Sequence, residues 1–202
     1  SYHDQGQGEP IVILHGLFGS KRNWSAIAKR LSAHHRVLTV DMRNHGESPW
    51  IDGMDYRDMC GDVADFIKRH ALAPSTVIGH SMGGKASMVL SLSQDAGLVA
   101  DLVIVDIAPV SYDHDYRGYI NAMRGVDFNA VTRRAEVEDA LSSGVSEKGV
   151  RQILAQNVTT DKETGKMAWQ VNIAAMASHL SDITGLPTAC LSAHYNGDGL
   201  LV

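Results

Sequence analysis

The sequence GHSMG at residues 79–83 has the glycine spacing that lets a strand turn sharply into a helix around a central serine. Small residues two positions before and after Ser81 allow this tight turn and leave the hydroxyl pointing outward. An apolar run precedes Ser81 at residues 75–80, and a helical pattern follows at residues 83–93. The motif therefore predicts a nucleophilic serine at the amino end of a helix. The alternative is a tight-turn serine without a chemical role.

A second glycine-containing segment, HGLFG at residues 15–19, follows the apolar run at residues 10–14. Ligands bind at the carboxyl edge of the strands in open α/β sheets, and glycines let a backbone N–H point into such a site. We therefore predict that the N–H groups of Leu17 and Met82 form an oxyanion hole for the acyl group that Ser81 attacks. The alternative is an ordinary turn, and His15 itself is interpreted as a residue that stabilises this turn.

The elements that must position these motifs follow from the hydrophobic pattern of the first 110 residues. Short apolar runs predict strands at residues 10–14, 36–41 and 75–80, and a fourth within residues 98–109. Helical spacing predicts helices at residues 23–31, 54–70 and 83–93; the first of these places Trp24, Ile27, Ala28 and Leu31 on one face. Alternating strands and helices predict an α/β fold with a doubly wound, mostly parallel sheet that is covered on both faces.

The alternation stops after Pro109. Helical periodicity continues without a convincing strand, and it predicts helices at residues 116–124, 133–142, 148–157 and 168–180. A fifth strand is predicted at residues 186–192. We therefore expect a helical cap, residues 111–184, inserted between the fourth and fifth strands of a core formed by residues 1–110 and 185–202.

Four motifs occur in order along the chain: LHGLFGS, VDMRNHGES, GHSMGGK and VDIAPVSY. Together they resemble the α/β-hydrolase fold and, more narrowly, its small intracellular esterases of the YbfF type, over residues 8–180. The resemblance implies hydrolysis of carboxylic esters or thioesters through an acyl-serine, without a metal or an organic cofactor. It also implies a catalytic triad in the chain order serine, acid, histidine.

Two residues are candidates for the acid that orients the histidine. Asp106 ends the strand that follows the serine helix, and the resemblance implies an aspartate at this place in YbfF-type esterases. Asp198 follows the predicted strand at residues 186–192, where many other α/β-hydrolases have their acid. We favour Asp106. Asp41 also ends a strand, but it precedes the serine and is interpreted as part of a loop-bracing network.

The catalytic histidine is not evident. The resemblance implies a histidine in a late Gly-His turn, beyond the last residue of this chain, so the expectation is a fragment or a variant whose C-terminal end diverges. His194 is the best remaining candidate for the base, and His179 is a weaker one. His80 is expected to point away from the site. The remaining histidines are interpreted as surface or loop residues: His34, His35, His45, His70 and His114.

Composition narrows the class of protein. The 202 residues are 44% hydrophobic, which suffices for one globular core, and 18 basic against 23 acidic residues give a formal charge of −5. The basic residues are scattered, so no nucleic-acid partner is expected. No apolar run approaches the ~20 residues that cross a bilayer. Cys60 and Cys190 lack metal-binding spacing and are predicted to be reduced thiols, typical of a cytoplasmic protein.

The leading hypothesis is a serine hydrolase that cleaves small or acyl-chain esters or thioesters. Phe18, Met82, Met123 and Trp169 are predicted to line an apolar acyl pocket, although Met123 and Trp169 are equally typical of core packing. One alternative is a hydrolase-like module that binds a ligand without turnover because it lacks its base. Another is a different reaction of the same triad, such as C–C bond hydrolysis. Without its base, a serine hydroxyl is a poor nucleophile at neutral pH.

Overall fold

A computed structural model describes residues 1–112, 115–161, 163–190 and 192–202. The strands among these residues are β1 (Tyr2–Gln5), β2 (Pro10–Leu14), β3 (Arg36–Val40), β4 (Ser75–His80), β5 (Val99–Val105), β6 (Val158–Thr160), β7 (Met167–Trp169) and β8 (Asp198–Leu201). The α-helices are α1 (Ser25–Leu31), α2 (Tyr56–Arg69), α3 (Met82–Ser91), α4 (Arg117–Arg124), α5 (Arg134–Leu141), α6 (Lys148–Ala155), α7 (Ile173–Ser178) and α8 (Leu180–Thr184). Short 3₁₀ turns span Lys21–Trp24, Ala96–Leu98 and Thr188–Cys190.

Six strands form the main sheet in the order β1-β3-β2-β4-β5-β8. β1 runs antiparallel to β3, and the other neighbouring pairs are parallel. From β2 the chain first passes to β3 on one side and then returns to β4 on the other, so the strand order reverses between β2 and β4. The crevice at the carboxyl ends of such a pair is the usual binding site of an open α/β sheet.

The central strand β2 shows why the sheet is covered on both faces. Val12 and Leu14 belong to the large core cluster, whereas Ile11 and Ile13 pack in a second cluster with Ala28 of α1. Successive side chains of a strand point to opposite faces, so a continuous apolar run needs a helical layer on each side. The doubly wound α/β architecture predicted from the sequence is confirmed.

The predicted helices of the first 110 residues are present with small shifts at their ends. Asp55 caps α2, because its carboxylate accepts a hydrogen bond of 2.8 Å from the Asp58 N–H. The predicted apolar face of α1 is partly wrong: Ala28 is buried, but the Ile27 side chain is 46% exposed. α1 is only seven residues long, so few of its side chains reach the sheet.

The segment between β5 and β8 corrects the sequence analysis twice. β6 and β7 form an antiparallel hairpin where no strand was predicted, and β7 occupies the start of the predicted 168–180 helix. Strands of three residues are too short to show a period of two. The predicted 186–192 strand is wrong as well: Thr188–Cys190 form a 3₁₀ turn, β8 follows later, and Leu191 lies outside the described residues.

Side chains from residues 111–184 pack into the same core cluster as the sheet; examples are Ile120, Met123 and Met176. The division into core and cap stays a prediction. Both cysteines are free thiols, as predicted. None of the helices in the described part of the chain is long and apolar enough to cross a membrane.

Candidate active site

Ser81 connects the end of β4 to the start of α3 with φ 50° and ψ −114°, a conformation that L-residues rarely adopt. Neighbouring backbone holds it in place. Its N–H donates to the Val105 carbonyl at 3.1 Å, and its carbonyl accepts from the Lys85 N–H at 3.0 Å. The Ser81 hydroxyl makes no hydrogen bond within the described residues. Ser81 therefore has the strained strand-to-helix turn of a nucleophile elbow.

The two glycines of the motif are required by close backbone contacts. A Cβ on Gly79 would lie 2.4 Å from the Gly83 carbonyl oxygen, and one on Gly83 would lie 2.6 Å from the Leu14 carbonyl oxygen. These approaches bring β4, α3 and the end of β2 together. The glycine spacing that predicted the turn thus has a steric cause.

Two backbone amides beside Ser81 have no acceptor. Neither the Leu17 N–H nor the Met82 N–H donates a hydrogen bond to any described residue. Both residues line the same small cavity as Ser81. Leu17 follows β2 and Met82 begins α3, so the crevice between β2 and β4 brings the two amides to one place. The two predicted oxyanion donors are therefore adjacent to the Ser81 side chain and unpaired.

The loop that carries Leu17 is fixed on its other side by buried partners. The Phe18 N–H donates to His45 Nε2 at 3.2 Å, and the Asn157 side-chain amide donates to the Phe18 carbonyl at 2.7 Å. Phe18 has a positive φ of 59°, and the Gly19 N–H donates to the Gly16 carbonyl at 2.9 Å. Both backbone groups of Phe18 are thereby paired with buried partners, which fixes the loop beside the cavity that Leu17 lines.

His15 and His45 form a buried pair of neutral rings beneath this loop, with centroids 4.9 Å apart. The Met42 N–H donates to His15 Nε2 at 3.0 Å, so the proton of His15 lies on Nδ1, 2.8 Å from the Gly16 carbonyl. His45 likewise accepts through Nε2 and has Nδ1 2.9 Å from the Arg43 carbonyl. Burial lowers the pKa of His15 to about 4 and that of His45 to about 3. His15 is thus a turn stabiliser, as predicted.

Asp106 directly follows β5 with φ 54°, and its N–H donates to the Val202 carbonyl at 2.9 Å. Its carboxylate is 87% exposed and lies at the same sheet edge as Ser81, with Oδ2 3.9 Å from His80 Nε2. The His80 ring is half-buried next to Gly16, where a Cβ would lie 2.8 Å from His80 Nδ1 and 3.2 Å from the Ser81 Cβ. His80 is not among the described residues that line the cavity of Ser81, and its ring forms no hydrogen bond with the Ser81 hydroxyl, so the expectation that it points away from the site stays a prediction.

His194 and Asp198 lie at the opposite edge of the sheet. β8 pairs in parallel with β5, and Asp198 is opposite Asp101 near the start of that strand. The Tyr195 hydroxyl donates to the Ala100 carbonyl at 3.2 Å, in the same region. The structure therefore brings neither His194 nor Asp198 to Ser81, and His194 as the base of this serine is a wrong prediction. The reason is that β8 begins beside the start of β5, far from the carboxyl end where Ser81 lies, and the sequence does not reveal this pairing.

The other histidines do not supply a base either. His179 pairs with Asp182 through Nδ1 at 3.0 Å on an exposed surface. His114 lies outside the described residues. Within the described part of the chain, no imidazole forms a hydrogen bond with the Ser81 hydroxyl.

The cavity beside Ser81 has a different lining from the predicted one. Met82 lines it, but Phe18, Met123 and Trp169 do not. Met123 is fully buried in the core, the Trp169 indole N–H donates to the Met123 carbonyl at 3.0 Å, and Phe18 packs edge-on against Tyr116. Phe18 and Met123 pack within the core and Trp169 packs against it, so none of the three lines the cavity of Ser81 in this structure; their role in substrate binding stays a prediction.

Sequence reasoning missed most of the actual lining, which comprises Leu17, Tyr56, Ser81, Met82, Lys85, Ile107, Tyr112, Tyr116, Ile183 and Thr184. Lys85 was visible in the GHSMGGK motif, four residues after Ser81 and so on the same side of a helix that begins there. Tyr56 and Ile183 come from segments far apart in the chain. No local signal could have joined them.

A strained serine after the fourth strand, facing two free amides at the strand-order reversal, defines the class of α/β-hydrolase-type proteins. Residues 9–134 match the family model described as alpha/beta hydrolase fold. The chain belongs to this family.

Relatives extend the comparison. The chain is 40% identical over 194 residues to a protein of Danio rerio called sn-1-specific diacylglycerol lipase ABHD11; the match covers 92% of this chain and 60% of the relative. It is 34% identical over 186 residues to esterase YbfF of Escherichia coli, covering 90% of this chain and 69% of that protein. A solved marine microorganism esterase superposes with a TM-score of 0.92 at 33% identity, over 100% of this chain and 78% of the esterase. The chain thus spans about three fifths of the length of the lipase relatives.

Proposed function

We propose that this protein is a serine ester hydrolase in which Ser81 is the nucleophile and the Leu17 and Met82 amides bind the oxyanion. One observation carries the proposal: a strained serine and two unpaired amides face the same cavity. Free donors that are already oriented stabilise the negative charge that develops on an acyl oxygen. The names of the relatives, a lipase and esterases, support this class.

The reaction begins when Ser81 Oγ attacks the acyl carbon of a carboxylic ester or thioester. The carbonyl π bond opens, and its electron pair resides on the oxygen held by the two amides. Since no described histidine forms a hydrogen bond with Ser81, the serine proton passes to a solvent water or hydroxide. The oxyanion then collapses, the bond from the acyl carbon to the leaving group breaks, and the alcohol or thiol takes up a proton from water. Water then attacks the acyl-serine in the same geometry and releases the acid.

We assign the acid of the triad to Asp106 because it lies at the carboxyl edge of the sheet, next to β4. No described histidine forms a hydrogen bond with the Ser81 hydroxyl, so the oxyanion hole and substrate binding are the contributions expected from this chain. Residual catalysis of this kind is ~10³-fold over water, far below that of a complete triad.

The test is hydrolysis of p-nitrophenyl acetate and p-nitrophenyl butyrate by this chain and by Ser81→Ala. We expect the unmodified chain to hydrolyse both esters slowly but above the buffer rate, and Ser81→Ala to show only the buffer rate. Equal rates for the two proteins would contradict the nucleophile assignment.

A second candidate function is ligand binding without turnover. The absence of a hydrogen bond between Ser81 and any described histidine favours it. In that case p-nitrophenyl butyrate would bind saturably to both proteins, and neither would hydrolyse it faster than buffer.

A further inference from the structure

Three consecutive carbonyls at the carboxyl end of α8 are bound by side chains from two other helices. The Tyr56 hydroxyl of α2 donates to the Ile183 carbonyl at 2.6 Å. The Lys85 ammonium of α3 donates to the Thr184 carbonyl at 2.8 Å and to the Gly185 carbonyl at 2.7 Å. The last carbonyls of a helix lack partners within it, so these side chains complete its end. We refer to the Tyr56 and Lys85 side chains as the carbonyl clamp.

Lys85 is an unusual residue for this task, because it is only 2% exposed. No carboxylate in the described ranges forms an ion pair with it, and burial lowers its pKa to about 8. Its Nζ lies 5.8 Å from the Tyr56 ring centroid and 5.1 Å from that of Tyr112. A buried cation is costly unless polar groups surround it, and here carbonyl oxygens and ring faces do so. The clamp thus depends on the position of those carbonyls.

The clamp joins the nucleophile to the wall of its cavity. Lys85 lies one turn into the helix that begins after Ser81, and its own N–H donates to the Ser81 carbonyl at 3.0 Å. Tyr56 holds the Ile183 carbonyl, and Lys85 holds the Thr184 carbonyl. Both Ile183 and Thr184 line the cavity that contains Ser81. The Tyr112 N–H also donates to the Thr184 carbonyl at 3.1 Å.

We propose that the carbonyl clamp fixes Ile183 and Thr184 as the wall that limits the acyl group accepted at Ser81. Tyr56 and Lys85 are positioning residues, since their donors hold backbone carbonyls of the wall. A rigid wall excludes acyl groups that are larger than the cavity, and a loosened wall admits them. The inference rests on the proposed function for its substrate, but the placement of the wall can be tested without any reaction.

The first test is amide hydrogen exchange in the full chain. The Ile183 and Gly185 N–H groups donate within α8, to the His179 and Ser181 carbonyls, so they exchange faster if the end of the helix frays. We expect Lys85→Met and Tyr56→Phe to raise exchange at these two amides by ~10-fold. Lys68→Met, which removes an exposed lysine paired with Asp95, is the matched control and should leave them unchanged. Unchanged exchange in both clamp variants would overturn the clamp.

The second test is the rate at which Ser81 is labelled by a methyl and by an octyl fluorophosphonate. Loosening the wall should raise the octyl-to-methyl rate ratio by ~10-fold, a size typical of selection by an apolar pocket. General destabilisation would lower both rates together and leave the ratio unchanged. If Lys85→Met does not fold, Tyr56→Phe tests the same wall with the loss of a single hydroxyl.

Failure of the proposed function and failure of the acyl-selection role would give different results. No labelling of Ser81 in the unmodified chain would contradict the proposed function, while the exchange experiment would still test the clamp. Labelling with an unchanged rate ratio in folded clamp variants would overturn the acyl-selection role alone.

Discussion

The two sides of Ser81 are built differently. On the oxyanion side, His45 and Asn157 pair both backbone groups of Phe18 in a buried setting, and the Leu17 amide is left free. On the side that must accept the serine proton, Asp106 is 87% exposed and its nearest imidazole nitrogen, on His80, is 3.9 Å away.

Ester hydrolysis has two requirements that this difference separates, namely stabilisation of the oxyanion and transfer of the serine proton. The proposed oxyanion hole and the strained Ser81 both lie where β2, β4 and α3 meet. Close glycine contacts bring these elements and their connecting loops together. Proton transfer needs a histidine held between the serine and the acid, and the described residues do not hold one there. A site can thus be preorganised for the oxyanion without being complete for general-base catalysis.

The largest expected effect comes from the contacts that create the elbow. Gly83→Ala should lower the free energy of unfolding by about 4 kcal/mol, because its Cβ would lie 2.6 Å from the Leu14 carbonyl oxygen. Gly61→Ala is the matched control: Gly61 lies inside α2 with open space around it, so alanine should stabilise by about 1 kcal/mol. Urea denaturation of both variants checks this, and similar small effects would contradict the steric account.

The second-largest effect is expected from acid, which should lower the free energy of unfolding by protonating the buried histidines on the oxyanion side. An unfolded histidine has a pKa near 6.5, whereas burial lowers the pKa of His15 to about 4, so the unfolded state binds more protons between these values. Stability is therefore full above pH 6.5 and should fall by about 3 kcal/mol from His15 alone as the pH approaches 4. His45, with a pKa of about 3, extends the loss to lower pH. Urea midpoints measured from pH 7 to 4 that stay constant would refute the neutral-pair account.

A medium effect is expected from removing the acceptor of the Phe18 amide. His45→Leu leaves that buried N–H unpaired and frees the loop that orients Leu17, so the fluorophosphonate labelling rate of Ser81 should fall by ~10- to 100-fold. The control is His179→Leu, which removes an exposed histidine paired with Asp182. Equal labelling rates in the two variants would show that His45 does not position the hole.

The smallest effect is expected on the other side of the serine. Asp106→Asn should change the labelling rate of Ser81 by less than ~3-fold, because no described histidine links this carboxylate to the hydroxyl. Loss of the acid of a complete triad costs ~10⁴-fold. A fall of that size would show that the proton-accepting side is assembled in solution, and the contrast between the two sides would not hold.

The sequence predicted the features that local sterics determine. The glycines around Ser81 and the loop of Leu17 follow strands whose apolar runs are unambiguous, so the elbow, its neighbouring amides and the parallel sheet could be anticipated. The two strands β6 and β7 are too short for a periodic signal. The place of β8, and with it His194, depends on long-range pairing with β5, which no local pattern encodes.

The residues that line the cavity were also beyond the reach of local sequence patterns. Met123 and Trp169 have the apolar character expected of an acyl pocket, but they pack in the core. Tyr56 and Lys85 line the cavity and donate hydrogen bonds to the carbonyls at the end of α8, an arrangement that forms only when the helices are assembled. Side-chain type alone cannot separate a pocket from a core in a chain with this many buried apolar residues.

The proposed reaction depends on a nucleophilic Ser81 hydroxyl beside two unpaired amides. Its most direct test is to treat the unmodified chain and Ser81→Ala with a fluorophosphonate and locate the adduct by peptide mass spectrometry. We expect one adduct, on the peptide containing Ser81, and none in Ser81→Ala. An adduct on another residue, or equal modification of the two proteins, would contradict it.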